Sequence, residues 1–68
     1  MMANYETEQE RNWSRVYEMA HSGEYSGWAE IEQELRINEK IPEARQMFED
    51  PFIRAEIDRL CEAARQAK

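Results

Sequence analysis

The chain has 68 residues, of which 35% are charged and 41% hydrophobic, and it carries a formal net charge of −6. That length gives one domain with a small core, and a single cysteine, Cys61, excludes an intramolecular disulfide and fits a reducing compartment. No apolar run approaches the roughly 20 residues of a membrane span, and His21, the one histidine, has no Cys or His near it in sequence to build a metal cluster.

The spacing predicts a first helix over about 6–21. Trp13, Val16, Tyr17 and Ala20 recur at i, i+3, i+4 and i+7, one face of a 3.6-residue period. The same face runs back into Glu6, Gln9 and Glu10, which are polar, so the first turns are expected to project beyond the core. Gly23 supplies a stop, since glycine tolerates the left-handed conformation after a helix end. His21 falls in the last turn, where a protonated imidazole suits the negative end of the helix dipole. The opening "MMANYETEQERNW" has neither a basic region nor an apolar stretch, so no signal peptide is expected and the expected location is cytoplasmic. Residues 1–5 are expected to be flexible.

A second helix is predicted over 27–37, with Ser26 as its N-cap. Trp28, Ile31 and Leu35 form its apolar stripe, Glu30 and Glu34 point the other way, and Glu32 and Arg36 are spaced to pair at i, i+4. Ile37 is out of phase with the stripe, and "INEKI" reads as a connection. A short third helix is predicted over 42–49, with Pro42 at its first position and Ala44, Met47 and Phe48 on one face. The fourth is predicted over 51–66, with Asp50 as N-cap and Pro51 as first helical residue. Ile53, Ile57, Leu60, Cys61 and Ala64 make its central stripe, which Phe52, Ala63 and Ala67 are expected to widen. The predicted architecture is therefore all-α: a compact bundle of three to four helices in one domain, with a helix-turn-helix-like hairpin.

Charge decides how that hairpin is read. Residues 1–27 carry −3 and residues 28–50 carry −4, whereas residues 51–68 carry +1. In a DNA-reading hairpin the second helix would present Glu43, Arg45, Gln46 and Glu49 to the major groove. Glu43 and Glu49 would then lie against phosphates, and affinity for nucleic acid comes mainly from cations that displace counterions. The alternative nucleic-acid reading is an acidic mimic that occupies a basic cleft. Nucleic acid is thus a disfavoured partner, and the hairpin reads first as scaffold.

Individual residues add little chemistry. Glu56 lies inside the apolar arc of the last helix, between Phe52, Leu60 and Ala63. It either turns outward toward Arg59 or pairs across an interface. Cys61 is expected to be a buried, unreactive thiol. Trp13, Tyr17, Trp28 and Phe52 suit a core better than a base-stacking platform, and Tyr5 and Tyr25 are the aromatics expected to be exposed. No triad, Gly-rich phosphate cradle or metal-ligand spacing is present, so no enzyme, cofactor, metal or small-molecule ligand is expected. The sequence reading is a small acidic protein-interaction module or self-associating protein, such as a homodimer. Its candidate contact residues are Tyr25, Glu30, Glu34 and Glu56.

The pattern W-x-x-I-E-x-x-L-R at Trp28, Ile31, Glu32, Leu35 and Arg36, with R-x-x-I-D-x-x-C at Arg54, Ile57, Asp58 and Cys61, resembles that of short uncharacterised all-helical bacterial proteins. The resemblance covers about residues 13–65, and it implies a small helical protein while transferring no site residue. Glu32/Arg36 and Arg54/Asp58 flank two apolar seams, where they are expected to pair between helices and so fix how the hairpin docks on the last helix.

Overall fold

Four helices follow one another in the computed structural model, which describes residues 8–67: α1 (Glu8–Ser22), α2 (Trp28–Ile37), α3 (Ala44–Met47) and α4 (Pro51–Gln66). The all-α bundle is as predicted, and among the described residues there is no strand. The expected flexibility of residues 1–5, the exposure of Tyr5 and the placement of Glu6 lie outside the described residues.

Each helix boundary has a local cause. Gly23 takes φ 78°, and the Ser22 hydroxyl bonds both sides of the stop, donating to the Met19 carbonyl and accepting from the Glu24 N–H. Asp50 caps α4 as predicted, its Oδ1 accepting from the Phe52 N–H at 2.9 Å, with Pro51 at the first position. Pro42 differs from expectation. It lies ahead of α3, in a turn closed by Ala44 N–H donating to the Ile41 carbonyl at 3.0 Å. A fixed φ suits the second residue of such a turn as well as it suits a helix start. That leaves α3 a single turn.

The start of α2 is a second correction. Ser26 is not the N-cap; Gly27 is, in extended backbone, and Ser26 is a donor, giving its N–H and hydroxyl to Glu30 Oε1 at 2.7 and 3.1 Å. The orphan N–H of Trp28 goes to Asp58 Oδ1 of α4 at 2.8 Å. A carboxylate brought in by tertiary packing satisfies the group that local sequence assigned to a serine.

Packing explains the rest. Val16, Met19, Ala20, Ile31, Leu35, Ala44, Phe48, Ile57 and Cys61 are buried, and no buried polar or charged residue accompanies them among the described residues. Phe48 is the centrepiece, with ring centroids 5.9 Å from Trp13 and 5.7 Å from Trp28. Arg54 lies over the Trp28 ring, its guanidinium carbon 4.6 Å from the centroid, and its Nε donates to the Phe48 carbonyl. Burying one such apolar side chain contributes about 1.5–3 kcal/mol. An exposed ion pair contributes about 0–1 kcal/mol, so the core outweighs the Arg15–Glu39 contact (2.7 Å) and the predicted Glu32–Arg36 pair (2.7 Å).

The pairing between helices expected of the charged residues flanking the seams is not found among the described residues. Glu32 and Arg36 pair within α2. Arg54 and Asp58 act across helices through a cation–π contact and a helix cap.

Candidate interaction surface

Helix α4 packs against α1 and α2 through Ile53, Ile57, Leu60 and Cys61, as its pattern predicts, with Ala64 half-buried at the end of the stripe. Trp13 of α1 and Ile53 of α4 line one cleft, and a turn further on Tyr17 faces Glu56, so the two helices run in the same direction. The expected widening of the arc does not occur. Phe52 is 83% exposed, and Ala63 and Ala67 are exposed too. The physical reason is that α4 is met only by α1 and α2 among the described helices, which leaves its opposite side uncovered.

That outer side carries Phe52, Ala55, Arg59, Ala63 and Gln66, all exposed, with Glu56 half-buried at its border. Glu56 does not turn toward Arg59. Its carboxylate lies near the Tyr17 hydroxyl of α1, whose pKa is pushed up by burial first and by Glu56 second. The ion pairs among the described residues are Arg15–Glu18, Arg15–Glu39 and Arg36–Glu32, so Arg59 has no carboxylate bound to it there. A bare phenylalanine two turns along the same helix side from a cation that is unpaired among the described residues is the feature least accounted for by the monomer. The sequence pattern counted Phe52 as core, and so hid it.

The remaining predicted contact residues fall elsewhere. Tyr25 is half-buried against the core rather than exposed; burial, then the charge of Glu34, pushes its hydroxyl pKa up. Glu34 accepts from Asn38 Nδ2 at 2.9 Å, and Glu30 is held below the usual carboxylate range by the Ser26 N–H and hydroxyl. Glu30, Glu34 and the 51%-exposed Ile37 share the outer face of α2. The structure therefore brings Tyr25 near Glu34 and leaves Glu56 apart, on the α1 side of α4.

Two other places were candidates for chemistry. A shallow cleft of about 600 Å³ lies between α1, α3 and the start of α4. Its floor is Trp13, Met47 and Ile53, and its acidic lining is Glu43 and Asp50, the latter already used as a cap. Cys61 is buried as expected, and burial followed by the Asp58 charge pushes its thiol pKa up, which lowers the thiolate fraction. Among the described residues no group of His, Cys, Asp and Glu is arranged to hold a metal ion, and no helix is long and apolar enough to cross a membrane.

No family model matches the chain, and neither a curated protein nor a solved structure matches it.

Proposed function

We propose that this chain is a small acidic, non-enzymatic protein of the cytoplasm that works by binding protein, a second copy of itself included, through the outer face of α4. The observation that carries this reading is Phe52, 83% exposed on α4, the longest of the described helices. Aromatic side chains are the usual anchors of protein interfaces, because a rigid apolar ring gains much from burial at little entropic cost. Groups with catalytic potential point away from the enzyme reading: Cys61 is buried, Asp50 and Asp58 cap helices, and Glu56 lies near a tyrosine.

Electrostatics weigh against the nucleic-acid alternative. A single-turn α3 is short for a recognition helix, and Glu43 and Glu49 are exposed on either side of Arg45 and Gln46.

Photo-crosslinking from position 52 tests the reading. A photoreactive phenylalanine analogue there, expressed in the native cell, is expected to yield a protein adduct that the same analogue at Gln33, on α2, does not. No adduct above the Gln33 control would remove the proposal.

A further inference from the structure

Resting on that reading, we infer that the occupant of the α4 outer face is a second copy of this chain, packed antiparallel along α4. Phe52, Glu56, Arg59, Ala63 and Gln66 follow one another at spacings of 4, 3, 4 and 3 residues. That is the repeat which keeps one seam of a helix turned toward a partner helix. It is distinct from the inward stripe of Ile53, Ile57, Leu60, Cys61 and Ala64 that serves the monomer core.

Charge and size fix the direction. In a parallel, in-register pair, Phe52 would face Phe52, Glu56 would face Glu56 and Arg59 would face Arg59, so both central layers would set like charges together. Turning one helix over about a twofold axis between Ile57 and Asp58 changes each layer. Glu56 then faces Arg59 of the second copy, Arg59 faces its Glu56, and each Phe52 ring seats on the other copy's Ala63. Large meets small at both ends, opposite charges meet twice in the middle, and the contact is closed and isologous. Arg59 is available for this because no carboxylate of its own chain among the described residues holds it. Glu56 can accept from the Tyr17 hydroxyl and from a guanidinium together, a carboxylate having two oxygens and about four acceptor sites. Each buried Phe contributes about 150–250 Å², so the interface is small and the dimer is a weak one.

Sedimentation equilibrium on the full chain, in a series from about 10 μM to about 1 mM, is expected to show mass rising toward twice the monomer. Phe52→Ala should weaken the association at least ten-fold without loss of helical signal. Glu56→Arg and Arg59→Glu should each abolish it alone, because four like charges then meet at the centre. Mixing the two variants should restore a heterodimer, because every central layer again pairs opposite charges. Should Glu56→Arg fail to fold, Arg59→Glu and Ala63→Glu, both at exposed positions, must each weaken the dimer ten-fold. A chain that stays monomeric throughout, a dimer indifferent to these substitutions, or a mixture that stays monomeric would overturn the inference. The crosslink separates this failure from that of the broader proposal: an adduct to another protein in a monomeric chain keeps the α4 face and rejects the second copy, while no adduct rejects both.

Discussion

Gly27 shows how a residue can be fixed by space rather than by backbone angle. Its backbone is extended, a conformation open to any residue, yet a Cβ built there would stand 2.7 Å from Asp58 Oδ1. The carboxylate is where it is because it accepts the Trp28 N–H. Gly27→Ala must therefore displace the cap, and its cost should be the cap's own, about 1 kcal/mol. Asp58→Ala should cost about the same. The double variant should cost scarcely more than either, since the second substitution removes nothing that the first has left. Urea denaturation of the four proteins, read as a double-mutant cycle, measures this; additive losses would refute the steric account. None of it was legible in the sequence, where Ser26 had the chemistry of a cap and Asp58 lay 30 positions away.

At the scale of the element, what local sequence controls was readable and what tertiary packing controls was not. The stop at Gly23, the Asp50–Pro51 start and the Glu32–Arg36 pair all depend on neighbours within a turn, and all were foreseen from residue type and spacing. Phe52, Ala63 and Ala67 fit the apolar arc of α4 on a helical wheel, but a wheel does not say how much of the arc other helices cover. The same limit applies to Tyr25, which is off every stripe yet packs on the core from a connection. The α2–α3 connection holds a further strained position, Lys40, at φ 57°, beside the Ile41 N–H that returns to the Leu35 carbonyl at 2.9 Å. A left-handed conformation costs a side-chain-bearing residue about 1–2 kcal/mol, part of which glycine recovers after its own entropic cost. Lys40→Gly should raise stability by about 0.5 kcal/mol, seen as a higher urea midpoint with an unchanged slope; a lower midpoint would show that the lysine side chain contributes something the backbone angle conceals.

For the whole molecule, alkaline pH is the condition that searches the helix interfaces. Tyr17 and Tyr25 both have hydroxyl pKa values raised by burial, helped by Glu56 and Glu34 respectively. Raised folded-state values mean that the neutral phenols favour the fold. Their contribution is fully present below the unfolded tyrosine value near 10 and is lost as pH rises through the folded values. Stability should therefore fall from about pH 9 through the buried Cys61 thiol, whose value is likewise raised, and further above about pH 10 through the phenols, and Tyr17→Phe should flatten the fall above about pH 10 by removing one ionising group from the α1–α4 seam. Urea titrations at fixed pH between about 8 and 11 test it; an identical alkaline slope in the variant would mean that Tyr17 does not contribute.

The bond from the Trp28 amide to Asp58 also has a temporal meaning. Helix α2 lacks its first closing contact until α4 has formed and has swung into place. That amide proton is consequently a built-in reporter: its exchange with deuterated water should keep pace with the lifting of α4 away from the rest, and not with the fraying of α2.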